Sequence, residues 1–157
     1  MRTVKGFTLI ELMVTLVVLA IAAAIAAPNF GQMIVRNQAE SQRNNIVNAL
    51  NLARSEAIKR GAVVSVAQKS GGWQNGWQVT AGSVVLRDFP ALKGQSTLTS
   101  SQTQVSFDAR GRLTGSGVSM TTNYTFAFRV GSDYCRVERD ISINALGRVA
   151  VTPRTCS

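Results

Sequence analysis

The sequence predicts an α+β protein, one long N-terminal helix followed by a head of short antiparallel strands. Residues 7–27 form an apolar run whose only charge is Glu11. Residues 46–57 then carry apolar side chains at helical spacing. From residue 62 onward, short extended segments alternate with Gly-containing turns. Several strands after one long helix indicate a helix laid over an antiparallel sheet.

The apolar run reads FTLIELMVTLVVLAIAAAIAA, 21 residues. About 20 helical residues, roughly 30 Å, cross a bilayer. Arg2 and Lys5 stand before it, so the positive-inside rule keeps the N-terminus cytoplasmic and sends the head across. Two ordinary readings stay open at this point. One is a secretory signal peptide cut at Ala24-Ile25-Ala26; the other is a plain membrane anchor. Both put Glu11 in hydrocarbon without a role, at a cost of about 2.5–3.5 kcal/mol.

Pro28 follows, where a lost helix hydrogen bond permits a kink. Ile46, Leu50, Ala53 and Ala57 then mark one buried face of the second helix half. Glu56 and Arg60 form an i,i+4 pair, Lys59 and Arg60 suit a helix C-terminus, and Gly61 suits the residue just beyond it. The helix is therefore expected from near residue 7 to near residue 60.

Strands are expected at 62–68, 77–81, 84–89, 105–107, 124–130, 139–143 and 148–151, with turns at Gly71-Gly72 and Asn75-Gly76. The Ser/Thr/Gln-rich stretch 95–104 reads as a loop or an irregular edge. Trp73, Trp77 and the apolar helix positions read as core. Arg110 and Arg112, flanking Gly111, read as a solvated turn. No internal repeat is visible, and no linker is long enough for a second domain.

Composition argues against catalysis. The chain has no histidine, which removes the commonest general base, the Ser-His and Cys-His pairs and His-containing metal sites. Two cysteines make no structural zinc site, and no carboxylate or Lys cluster suggests an active site. No enzyme activity, metal or cofactor is expected. The excess of 17 Lys/Arg over 8 Asp/Glu points to anionic partners without choosing among nucleic acid, a membrane surface and an acidic protein face. Cys135 and Cys156, in a chain with an export-type start, are expected to form a disulfide.

Lys5-Gly6-Phe7-Thr8-Leu9-Ile10-Glu11 closely resembles the cleavage motif of class III signal prepilins, the type IV pilins and type II secretion pseudopilins. The resemblance implies cutting between Gly6 and Phe7 by a prepilin peptidase and N-methylation of Phe7. It also implies that Glu11 meets the terminal amine of a neighbouring subunit as a filament grows, each charge relieving the other's burial. The expected organisation is a leader at 1–6, a membrane-spanning or filament-core helix at 7–27, and an amphipathic helix half with a periplasmic β-rich head at 28–157.

The stretch Ala49-Leu50-Asn51-Leu52-Ala53-Arg54-Ser55-Glu56-Ala57-Ile58-Lys59-Arg60 looks like the helix signature of the GspH/FimT/FimU minor pilins. Trp73, Gly76-Trp77 and Phe107-Asp108-Ala109-Arg110-Gly111-Arg112 follow in the order that group shows. The resemblance implies the pilin fold and a minor pilin that primes pilus assembly at or near the tip. Its implied partners are other minor pilins, the major pilin, the prepilin peptidase and the inner membrane, which it spans once before entering the pilus. Two alternatives accompany it: a DNA-binding minor pilin for natural transformation, and a minor pseudopilin of type II secretion. A C-terminal disulfide loop is more a habit of type IV pilins than of pseudopilins.

For DNA, removal of Arg2 and Lys5 leaves 15 basic side chains against 8 acidic ones. Arg136, Arg139, Arg148 and Arg154 are the candidate phosphate contacts. Gly147-Arg148-Val149-Ala150 is similar to the first half of the Gly-Arg-x-Arg element of DNA-binding FimT proteins. It has alanine in place of the second arginine, with Arg154 as the alternative cation.

Overall fold

The computed structural model describes residues 6–156, without the side chains of residues 25–30, 132 and 133. Arg2 and Lys5 of the expected leader, and the side chain of Pro28, lie outside this description. The chain divides into two units, residues 1–35 and 36–157.

One helix, α1 (Leu9–Arg60), contributes to both units. In the first unit its described side chains from Leu9 to Ala24 are all exposed. Among the described residues no helix is long and apolar enough to cross a membrane.

In the second unit α1 buries Ala39, Ile46, Ala49, Leu50, Ala53 and Ala57. Three of these are alanines at spacings of four, which lets the helix backbone approach the strands closely. The helix ends in a Schellman motif. Gly61 is left-handed at φ +61°, its N–H donates to Ile58 O, and Ala62 N–H donates to Ala57 O. Glu56 accepts from Arg60 Nε at 2.8 Å on the exposed face.

Two antiparallel sheets follow, where a single sheet had been expected. The first orders β3 (Val84–Phe89), β2 (Trp77–Ala81), β1 (Val64–Gln68), β5 (Gln104–Phe107) and β6 (Leu113–Thr114). The second orders β4 (Ser96–Ser100), β7 (Asn123–Val130), β8 (Arg139–Asn144) and β9 (Val149–Pro153). Trp73 joins them. Its ring meets Phe126 of β7 edge-on at 4.8 Å, its Nε1 donates to Gln102 O at 2.7 Å, and it lies 6.5 Å from the Trp77 ring of β2. Both tryptophans are core residues, as their sequence context implied.

The stretch read as loop or irregular edge contains a regular edge strand. All five residues of β4 pair with β7, from Ser96↔Val130 to Ser100↔Phe126. Leu98 is its one large buried side chain and Ser96 the other inward residue, so the period-2 signal is nearly silent. Partner pairing, absent from the local sequence, makes it a strand.

Candidate functional site

At the N-terminus, Gly6 and Phe7 precede the helix, with Phe7 77% exposed. Thr8 and Glu11 hold each other. Thr8 N–H and its hydroxyl donate to Glu11 Oε2 at 3.3 and 3.2 Å, and Glu11 N–H donates to Thr8 Oγ1 at 3.3 Å. This is the T-x-x-E capping box, in which two otherwise unpaired helix-start donors are satisfied reciprocally. Glu11 therefore has a local role that sequence reading missed, although the spacing Thr8-x-x-Glu11 before an apolar run was its signature. Among the described residues the run that follows, from Leu9 to Ala24, is exposed throughout. Contiguous exposed apolar surface of that kind marks a site of contact with lipid or another protein.

In the head, Cys135 and Cys156 form the expected disulfide, with Cα atoms 5.9 Å apart. The bond ties the C-terminal tail to the short 3-10 segment Ser132–Val137, which the sequence pattern did not reveal. Closing a loop of this length is worth about 3 kcal/mol in the chain-entropy model. The tail is held a second time. Arg154 donates to the buried Glu138 carboxylate at 2.6 Å, and Val130 N–H donates to the other oxygen of Glu138 at 3.1 Å.

The four arginines proposed for phosphate contact do not gather. Arg139 donates to the carbonyls of Arg136 and Glu138 at 2.6 and 2.7 Å, and Arg154 is paired with Glu138. Arg139 faces Pro153 at one end of β8, whereas Arg148 lies beyond Asn144 at the other. A strand of this length sets the two ends about 17 Å apart. Arg136, Arg139 and Arg154 thus share one end of the head, and Arg148 stands at the opposite end.

Arg148 belongs to a pair of matched turns, Asp108-Ala109-Arg110-Gly111-Arg112 and Asn144-Ala145-Leu146-Gly147-Arg148. In each, Oδ1 of the first residue accepts the N–H of the last, at 2.9 and 3.0 Å. In each, the glycine N–H donates to the first residue's carbonyl at 2.8 Å, with φ +73° and +74°. The two turns stack. Leu113 N–H donates to Ala145 O at 3.0 Å, and Arg54 of α1 donates from Nε to Gly111 O at 3.0 Å. The short repeat escaped sequence reading because only Ala, Gly and Arg coincide. Arg54, within the helix signature, and Gly111, within the strand fragment, turn out to be one contact.

Asp108 holds its turn through charge. Burial alone would raise its pKa, but the N–H groups of Arg112 and Arg110 and the Arg112 guanidinium outweigh it and hold the carboxyl below the usual range. A depressed folded-state pKa gives stability that is present above the unfolded value, about 3.9, and is lost as pH falls through the folded value. Asp108→Ala should therefore cost about 1–2 kcal/mol at neutral pH. Thermal melts at stepped pH should show that difference shrinking below about pH 4; a difference independent of pH would remove the charge argument.

Among the described residues no group of His, Cys, Asp and Glu could hold a metal ion.

Comparison with known proteins agrees with this architecture. Residues 42–147 match the family model described as Type II transport protein GspH, and residues 1–27 match the prokaryotic N-terminal methylation motif. The chain belongs to the GspH family. Among solved structures, the Pseudomonas aeruginosa type IV minor pilin FimU is similar in two crystal forms. In the first, TM-score is 0.63 at 24% identity over 75% of this chain and 90% of FimU. In the second it is 0.56 at 23% over 74% and 91%. At that identity the likeness establishes the fold, which is the pilin fold. The family match covers the α1 signature, Trp73, Trp77, the Asp108–Arg112 turn and the second turn as far as Gly147, and stops before Arg148 and the tail bearing Cys156.

Proposed function

We propose that this GspH-family protein is a minor pilin of the type IV pilus that enters the filament at or near its tip and takes part in priming assembly. The observation that carries this reading is the pairing of a FimU-like head with an N-terminal methylation motif whose apolar side chains are exposed as far as they are described. In this reading residues 7–27 anchor the chain in the inner membrane with the head periplasmic. They later join the helical core of the filament beside the major pilin and other minor pilins. The chain acts by packing and performs no catalysis.

Processing follows from the motif. A prepilin peptidase should cut between Gly6 and Phe7, and the mature chain should begin with N-methylated Phe7. Intact mass and N-terminal sequencing of the membrane-extracted protein check this; a start at Ala27 would mean a secretory signal peptide and would remove the pilin reading.

A second reading is a minor pseudopilin of type II secretion, favoured by the family's description. The Cys135–Cys156 loop favours the pilus. Deletion in the native bacterium separates them. Loss of surface pili with secretion intact supports the pilus; loss of secretion with piliation intact supports the secretion system. DNA capture draws less support, because the ends of β8 separate Arg148 from Arg136, Arg139 and Arg154. A DNA shift assay with the mature protein tests it.

A further inference from the structure

Glu138 is the one buried charged residue among the described residues, at 4% exposure. Taking a carboxylate out of water is costly, and a buried ion pair often does no more than offset that cost. Apolar packing would serve stability as well. What the carboxylate adds is a contact of fixed direction.

That contact lies between the two halves of the disulfide. On one side, Glu138 N–H donates to Cys135 O at 3.0 Å and closes the 3-10 segment that carries Cys135. On the other, its carbonyl accepts Arg154 N–H at 3.4 Å and its Oε2 accepts Arg154 Nη1 at 2.6 Å. Val130 N–H donates to Oε1 at 3.1 Å and fixes the carboxylate against β7. β9 ends at Pro153, so residues 154–156 have left the sheet before Cys156 is reached. Among the described residues, Arg154 makes the hydrogen bonds that tie this tail back to the head. Cys156 itself is exposed, so a tail left loose would present its thiol to other copies of the chain.

We propose that Glu138 and Arg154 are positioning residues for oxidation. Their ion pair seats the tail before the disulfide forms and favours the bond within one chain over a bond between two copies. Seating raises the effective concentration of one thiol at the other. With glutathione disulfide as oxidant, one cysteine thiolate displaces a glutathione thiol and forms a mixed disulfide. The second cysteine then displaces the other glutathione, and the two glutathione thiols leave with the two protons and two electrons. The inference stands on the head alone and does not depend on the pilus reading.

The test is the exchange equilibrium of the full-length protein in detergent micelles, poised with glutathione and glutathione disulfide and read by thiol trapping and intact mass. Arg154→Ala should lower the constant for the Cys135–Cys156 bond about tenfold, the value of one charge-assisted hydrogen bond. It should also raise the share of disulfide-linked dimer. The Arg154 side chain is 48% exposed, and Arg129 Nε at 3.8 Å remains beside Glu138, so the head should stay folded. Arg154→Lys should recover most of the loss, because the contact runs through a single nitrogen. Arg148→Ala, at the far end of β8, should match wild type. A general role in stability would instead lower the melting midpoint of the reduced protein and leave the constant unchanged. An unchanged constant or dimer share in Arg154→Ala, an equal fall in Arg148→Ala, or a Lys variant no better than Ala would each overturn the proposal.

Discussion

Glu11→Ala is expected to yield a processed, membrane-resident and folded protein that enters pili at less than a tenth of the wild-type level. Among the described residues the buried face of α1 begins at Ala39, so removing a side chain at position 11 leaves the head core untouched. Insertion into lipid should become easier, since a charge costing about 2.5–3.5 kcal/mol disappears. Docking should become harder. In the proposed filament the Phe7 ammonium of one subunit and the Glu11 carboxylate of another offset each other's desolvation, and removing one strands the other. An unpaired buried charge costs about 3–5 kcal/mol, well beyond the 1.4 kcal/mol of a tenfold change.

The capping box with Thr8 makes the Gln variant the discriminating one. Glutamine also completes a capping box, so Glu11→Gln keeps the local contact and loses only the charge. If charge pairing governs assembly, Ala and Gln variants both fail. If capping governs it, Gln assembles and Ala does not, and Thr8→Ala fails with it. The readout is the amount of this subunit in sheared pili relative to membranes. Normal incorporation of both Glu11 variants would show that this carboxylate does not determine assembly.

Legibility in the sequence followed the range of the interactions. The Gly61 helix end, the Glu56–Arg60 pair and strands β2 and β3 depend on neighbours a few residues away, and they stand within a residue or two of expectation. β4 and β6 did not show, because one buried leucine or two residues in all leave no period to read. The division into two sheets was also hidden. It depends on which strands pair, such as β1 with β5 and β4 with β7, partners far apart in the chain. At the candidate sites, residue types were legible and grouping was not. Arginines close in sequence were separated by the length of β8, while Arg54, Gly111 and Gly147, spread over 94 positions, were brought together.

That junction carries the largest expected effect on stability. Gly147→Ala should destabilise the head by about 2–4 kcal/mol, and two separate costs add up to it. Gly147 has φ +74°, and holding an L-residue there costs about 1–2 kcal/mol. The new methyl group would also overlap the carbonyl oxygen of Gly111. That oxygen belongs to backbone, and Arg54 Nε is bonded to it at 3.0 Å, so it cannot swing aside as a flexible side chain would. Relief requires the two stacked turns to part, breaking the Leu113 to Ala145 hydrogen bond as well. Gly82 is the control: it has φ +58° with nothing within 4 Å of an added Cβ. Gly82→Ala should therefore show the backbone cost alone. Urea or thermal unfolding of the two variants beside wild type separates strain from collision. Equal losses in both would mean that the two stacked turns do not press together.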